Sequence, residues 1–240
     1  MGNRWKEIWN KKGENFDELL SEKDEFAVYR ELKRLDGYDV SVENGEAYYR
    51  NFYNSAVSMW ERINDEIGLT SAFEVGCGSG ANLYLLKNRD IKIGGIDYSA
   101  NLANIARKMV GERCIETGEA ADMMTDEKFD VVFSDGVFPY FADETYGEAV
   151  LEKMYEKAQK AIIILEIFDK ATKAECEKYR RAMLDDYDEK YAGLDKTFYD
   201  RDMFRRFAEK HECRIEFSDV KNEQYWNSKY LFNCFLYKNQ

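Results

Sequence analysis

Residues 71–80 read SAFEVGCGSG, and the chain organisation follows from them. Ser71–Gly76 is a short apolar run that predicts a strand. Gly76, Gly78 and Gly80 then place three glycines in five residues, and Ala81–Lys87 (ANLYLLK) has the character of a helix. Glycines at this spacing let the backbone turn sharply and lie close to a bound group, with no Cβ in the way. Such a loop falls at the carboxyl end of its strand, where open α/β sheets bind ligands.

The same alternation continues downstream. Ile91–Asp97 predicts a second strand, Asn101–Val110 a helix, Arg113–Thr117 a weak third strand and Phe129–Ser134 a fourth. Thr145–Lys160 predicts a helix, and Ala161–Ile167 (AIIILEI) a nearly all-apolar fifth strand. Strands alternating with helices imply a parallel sheet covered on both faces. The tail differs. Lys173–Tyr191 and Arg201–Lys210 predict helices, then Arg214–Asp219 and Lys229–Lys238 predict strands only about ten residues apart, too close for a helical crossover, so the last two strands are expected to be antiparallel neighbours. The expected fold is therefore α/β: a doubly wound, Rossmann-like sheet, mostly parallel with an antiparallel last strand.

Upstream, residues 1–68 read as helical and aromatic. Trp5 and Trp9 stand four apart, as do Tyr49 and Tyr53, so each pair can share a helix face. Met59, Trp60, Ile63 and Ile67 continue an apolar stripe, and Gly68 suits a helix stop. The expected organisation is an amino-terminal helical cap over 1–68 and a cofactor-binding domain over 69–240, with a lid insertion at about 171–200.

Composition excludes several classes. The chain has 240 residues, 45% of them hydrophobic, enough for one sizeable core. Its formal net charge of −12 opposes binding to a phosphate backbone, so no nucleic-acid partner is expected. No apolar run is long enough to span a membrane and the first residues lack a signal-peptide core, so a cytoplasmic location is expected. Cys77, Cys114, Cys176, Cys213 and Cys234 are odd in number with no CxxC pair, consistent with free thiols and no metal site. The single histidine, His211, precedes the sixth strand and is expected to be structural.

An acid, Asp97, closes the second strand 17 residues after Gly80. A carboxylate there can accept hydrogen bonds from both hydroxyls of an adenosine ribose, an arrangement shared by dinucleotides and by S-adenosylmethionine. Because Ala81 is tolerated at the third position of the dinucleotide fingerprint, spacing alone leaves both open. Glu74, two before the first glycine, and Gly80 give the form (E/D)xGxGxG, and here the chain resembles the class I S-adenosylmethionine-dependent methyltransferases over residues 71–238, nearest to bacterial small-molecule and sugar methyltransferases.

That resemblance implies a seven-stranded sheet whose antiparallel seventh strand lies beside the fifth. It implies S-adenosylmethionine as cofactor, with S-adenosylhomocysteine as product, held by Glu74, Gly76, Cys77, Gly78 and Gly80. In it Asp97 takes the ribose and Tyr98 lies against the adenine, as IGGIDYS suggests. Glu119 and Ala120 (GEAAD) receive the adenine edge, with Asp122 as a displaced alternative. Ser134 offers a backbone carbonyl to the cofactor's amino group, and Gly136–Phe138 begin the wall towards substrate. Relatives often carry histidine after the fourth strand, but Pro139-Tyr140 stands there in FDVVFSDGVFPYF.

A hydroxyl or protonated-amine acceptor needs a group to take its proton. Asp135, Asp169 and Tyr140 are the candidate catalytic residues, with Glu166 beside them. Asp135, Glu166 and Asp169 could alternatively hold magnesium through oxygen ligands. Aromatic side chains suited to sugars, rings or cationic amines abound. Tyr49, Tyr53, Phe138 and Tyr199 are the expected substrate-binding residues, among a wider set that includes Trp5, Trp9, Tyr48, Phe141, Phe198, Tyr225 and Trp226. The expected activity is methyl transfer to a hydroxyl or amine of a small molecule, such as a nucleotide-linked or surface-polysaccharide sugar or a natural-product intermediate, by a monomer or homodimer. A protein or peptide methyltransferase, a dinucleotide-dependent oxidoreductase and a non-catalytic cofactor-binding module are the competing readings.

Overall fold

The structure, a computed structural model, describes residues 8–9, 11, 22, 24–38 and 45–239. Trp5, on which one expected helix-face pair depends, lies outside them. Eight helices and seven strands run in the order α1 (Glu25–Leu35), α2 (Gly45–Ile67), β1 (Ser71–Val75), α3 (Ala81–Lys87), β2 (Lys92–Asp97), α4 (Ala100–Val110), β3 (Ile115–Thr117), β4 (Phe129–Asp135), α5 (Glu144–Lys157), β5 (Ala158–Phe168), α6 (Lys173–Met183), α7 (Tyr187–Lys190), α8 (Arg201–Lys210), β6 (Arg214–Asp219) and β7 (Leu231–Tyr237) among the described residues.

All seven strands form one sheet in the order β3-β2-β1-β4-β5-β7-β6. β1 to β5 pair in parallel, and β7 runs antiparallel to both β5 and β6. The order reverses between β1 and β4, so the chain leaves these neighbours in opposite directions and opens a crevice at their carboxyl ends. All five residues of β1 are buried, as a central strand covered on both faces requires.

Two apolar layers sandwich the sheet. On one face Phe73, Val132, Ile162 and Phe232 pack with Val150, Met154, Phe204 and Phe207 of α5 and α8. On the other, Ala72, Val131, Phe133 and Ile163 meet Trp60 and Ile63 of α2 and Leu83 of α3. Trp60 lies edge-on to Phe133 with centroids 4.7 Å apart, which locks α2 onto β4; burying one such side chain is worth about 1.5–3 kcal/mol. The stripe Trp60, Ile63, Ile67 is thus the sheet-facing side of α2.

α1 has a different task. Its Asp24 caps the helix by accepting from the Ala27 N–H, and Phe26, Tyr29 and Leu32 bury one face against α3 and α4. The residues that follow reach the carboxyl edge of the sheet: Ser79 Oγ donates to the Leu32 carbonyl, Lys33 meets Asp135 at the end of β4, and Tyr38 meets Glu166 of β5.

Three elements depart from expectation. The helix expected over 145–160 stops at Lys157, because residues 158–160 join the sheet beside Phe129, with Lys160 accepting from the Lys238 N–H. The charged helix expected over 173–191 breaks at 184–186, where Asp186 adopts φ 56°. β5 carries a register shift between Ile164 and Ile167, and Glu166 within it has φ 57°. The displaced Glu166 N–H is satisfied by Asn233 Oδ1 at 3.0 Å. A bulge of this kind re-aims a side chain, and here it turns Glu166 into the crevice. No helix of the described residues is long and apolar enough to cross a membrane.

Candidate functional site

The crevice widens into a cavity of about 580 Å³, within the range of small-molecule sites. Its floor is the glycine loop. The Gly76 and Cys77 N–H groups both donate to the Ile96 carbonyl, fixing the loop to β2. Gly78 has φ 53°, and its N–H donates to Asp97 Oδ2 at 2.8 Å, while Asp97 Oδ1 accepts from Ser99 N–H at 2.8 Å. Each carboxylate oxygen retains a lone pair that a ribose hydroxyl could use. Burial pushes Asp97 up to about 6, so it is predominantly ionised at neutral pH.

Asp36, carried in by the turn after α1, covers the loop. Its Oδ1 accepts from Ser79 N–H at 2.6 Å, and burial pushes the carboxyl up to about 7. A Cβ on Gly78 would collide with the Asp36 carboxylate. The missing side chain at 78 therefore makes room for a group of the cap. Gly80, expected on the cofactor, does not line the cavity. A Cβ there would press on Ala106 of α4, so Gly80 serves helix packing.

Behind the loop, Asn82 Nδ2 donates to Glu74 Oε1 at 3.0 Å and to Asp135 Oδ2 at 2.9 Å. Asp135 Oδ2 also receives Lys33 Nζ at 2.8 Å. Glu74 Oε2 is buried with no hydrogen-bond partner. Burial raises the Glu74 carboxyl well above its usual range. An orphaned carboxylate oxygen facing a cavity invites a cationic or donor group on the ligand.

Glu166 completes the acidic side. Tyr38 Oη donates to its Oε2 at 2.8 Å, and the Tyr225 hydroxyl bonds to it as well. Burial first, and the Asp135 charge second, raise this carboxyl to about 7, against the pull of Lys33. Gly136, at φ 68°, lets Tyr38 Oη approach where a Cβ would lie 2.8 Å away.

The structure brings Glu74, Gly76, Cys77, Gly78, Asp97, Tyr98, Glu119, Ala120, Asp135, Gly136 and Tyr140 to this one cavity. Asp122 is exposed and outside it, leaving Glu119 and Ala120 at that edge. The Ser134 side chain turns into the sheet, its Oγ donating to the Val75 carbonyl, and the cavity wall begins at Asp135, one residue before the expected Gly136. Asp169 is also turned away. It caps the turn at Ala171 and pairs with Arg201 Nε at 2.8 Å. Asp135, Glu166 and Asp169 therefore do not converge, and no cluster suited to a metal occurs among the described residues.

None of the four expected substrate residues lines the cavity. Tyr49 Oη donates to the Tyr38 carbonyl and Tyr53 Oη to Glu25, while Phe138 and Tyr199 are fully buried against each other. Their aromaticity serves the core. The aromatic residues lining the cavity are instead Trp9, Tyr38, Tyr48, Tyr98, Tyr140, Phe141, Tyr146, Phe168, Tyr191, Tyr225 and Trp226. Lys33, Asp36, Tyr38 and Asn82 were missed in the sequence. One signal was present: Lys33 falls on the apolar face of α1 with Phe26 and Tyr29, an odd place for a lysine with no partner. His211 packs on Tyr155 and Phe207 beside Glu152, remote from the cavity, as expected.

Residues 73–160 match a family described as a methyltransferase domain. A phosphoethanolamine N-methyltransferase of Triticum aestivum is 29% identical over 152 residues, 57% of this chain and 30% of that enzyme's length. The chain thus spans under a third of that relative. Among solved structures, the fold is similar to a magnesium protoporphyrin IX methyltransferase from Synechocystis PCC 6803 with bound S-adenosylhomocysteine (TM-score 0.61, 14% identity, 90% of this chain and all of that one). It is also similar to the plantazolicin methyltransferase BpumL in complex with a desmethyl analogue and S-adenosylhomocysteine (TM-score 0.60, 16% identity, 95% and 99%). A third is the N-methyltransferase NodS from Bradyrhizobium japonicum WM9 (TM-score 0.57, 13% identity, 80% and 98%).

Proposed function

We propose that this chain, which carries a class I S-adenosylmethionine-dependent methyltransferase domain, transfers a methyl group to a hydroxyl or amine of a small molecule. One observation carries this reading: a single cavity joins the glycine loop and Asp97 on one side to an aromatic wall on the other. In this reading residues 1–68 act as a cap, and the 171–200 segment supplies the far wall.

The residues fit the cofactor. Asp97 would hold the ribose hydroxyls, Glu74 Oε2 the ammonium, and Glu119 with Ala120 the adenine edge. When bound, S-adenosylmethionine supplies an electrophilic methyl carbon on a sulfonium. The acidic floor suits that cation, because Glu74, Asp97, Asp135 and Glu166 outnumber Lys33 there.

The chain's own groups orient the acceptor and take its proton. Asp135 is committed to Lys33 and Asn82, so it builds the site. Glu166 is the better base. It faces the cavity, and a carboxyl at about 7 is poised for proton transfer near neutral pH. Tyr38 and Tyr225 hold it in place, and the proton it takes resides on a carboxylate oxygen.

The test is calorimetric titration with S-adenosylmethionine. The wild type should bind, and Asp97→Ala should weaken binding by about 1.5–3 kcal/mol, the worth of charge-assisted hydrogen bonds. Binding of NADH in place of both adenosyl ligands would return the glycine loop to the dinucleotide class.

A further inference from the structure

We propose that Arg180 forms a subsite for an oxyanion, either a carboxylate or a phosphate, carried by the acceptor; that the oxyanion belongs to the acceptor rests on the methyl-transfer reading above.

Arg180 belongs to α6, lies only 6% exposed and lines the cavity. Its guanidinium sits between two rings, 5.3 Å from the Phe168 centroid and 5.0 Å from that of Trp226. Nη2 donates to Asn227 Oδ1 at 3.3 Å, a neutral and long contact, and Nε is buried with no acceptor. Burying a guanidinium is costly unless a counter-ion offsets it. The contrast within the same cavity is direct: Lys33, equally buried, has Asp135 at 2.8 Å. Arg180 has an amide where a carboxylate would be expected, in a chain of net charge −12 with acids to spare.

Lys196 also borders this part of the wall. Its Nζ lies 5.4 Å from the same Phe168 ring and 4.0 Å above Tyr140. Two cations therefore border one aromatic ring on the wall, while the carboxylates Glu74, Asp97, Asp135 and Glu166 gather at the floor. This separation of charge orients a ligand: the cationic cofactor on the acidic floor, and an acceptor whose anionic end points to the guanidinium fork. Arginine's donors match an oxyanion's geometry, and the rings beside it exclude water and strengthen the pairing.

The experiment follows thermal unfolding of the full chain, alone and loaded with S-adenosylhomocysteine, with three probes: benzoate, its neutral counterpart benzamide, and inorganic phosphate. S-adenosylhomocysteine binding is measured separately by calorimetry. Benzoate or phosphate should raise the midpoint saturably and benzamide should not. A response to benzoate alone assigns a carboxylate, and one to phosphate alone a phosphate. Arg180→Gln and Asn227→Asp should each weaken that response about 10- to 100-fold while S-adenosylhomocysteine affinity holds. Asn227→Asp keeps the guanidinium and its ring packing but supplies an internal counter-ion, so it decides the matter even where Arg180→Gln fails to fold. The subsite is overturned if neither anion shifts the midpoint, if Asn227→Asp binds anions as well as the wild type, or if Arg180→Gln weakens S-adenosylhomocysteine by the same factor. Anion binding through Arg180 without any adenosyl-ligand binding would instead overturn the methyl-transfer reading and leave the subsite standing.

Discussion

Lys33 Nζ and Asp135 Oδ2 stand 2.8 Å apart, with both side chains almost wholly buried, although 102 residues separate them in the chain. This pair ties α1 to the carboxyl end of β4 and closes the cavity on one side. Burial opposes the lysine's charge, but Asp135 beside it holds the ammonium well above its usual range. Lys33→Met should cost about 3–5 kcal/mol of folding stability in chemical denaturation, because it strands Asp135 as an uncompensated buried charge. The double variant Lys33→Met with Asp135→Leu should recover part of that loss. A single-variant cost below about 1 kcal/mol would mean that water reaches the pair and that α1 does not seal the cavity.

The base assignment has its own signature. With Glu166 at about 7, turnover should rise about tenfold per pH unit below neutrality and level off above it. Glu166→Gln should lower kcat by about 10²–10⁴-fold and remove that limb, with S-adenosylmethionine affinity little changed. Retention of the rising limb in Glu166→Gln would move the proton acceptor elsewhere.

The buried acids also set how stability depends on pH. Asp36 and Glu166 are raised to about 7 and Asp97 to about 6, all chiefly by burial. A carboxyl raised in the folded state binds more protons there than in the unfolded chain. Stability should therefore fall as pH rises from about 4 to about 7. Glu25, Glu66, Asp130 and Glu152 are lowered by hydrogen bonds and ion pairs that outweigh their partial burial, and they act in the opposite sense below about pH 4.5. The unliganded protein should thus melt highest in mildly acidic buffer, with Asp36→Asn flattening the decline towards neutrality. A melting temperature that climbs steadily from pH 5 to 7.5 would contradict this.

Gly78 tests the cap as much as the loop. A valine there would force a β-branched residue into φ 53° and drive its Cβ into the Asp36 carboxylate. Gly78→Val should abolish S-adenosylmethionine binding and also lower the melting temperature. Adding Asp36→Ala should restore part of the stability but not the binding. Wild-type affinity in Gly78→Val would remove this loop from the site.

Much of the architecture was legible because its signals are local. The acid-and-glycine loop, the acid ending β2 and the short gap before β7 each reflect backbone needs satisfied within a few residues. Single-residue steps along an element had large consequences for the site. The wall takes in Asp135, Gly136 and Val137 but not Phe138, whose ring is fully buried in the core. Tyr48 lines the cavity while its neighbour Tyr49 bonds to the Tyr38 carbonyl, because a helix turns adjacent residues apart. Glu166 enters the cavity through a bulge that nothing in AIIILEIF announces.

The sequence alone determined the strand–helix alternation of a doubly wound fold, the antiparallel pair at its end, the glycine loop and the class of ligand that such a loop accepts. Periodicity and turn chemistry are properties of short stretches, and they survive without knowledge of distant partners. Only the tertiary structure decided which charged groups are spent on holding the cavity and which remain for chemistry. Asp135 is spent on Lys33 and Asp169 on Arg201, while Glu166 and Arg180 face the cavity. A side chain's charge, burial and availability depend on groups brought from far along the chain, and no local pattern of residues specifies that pairing.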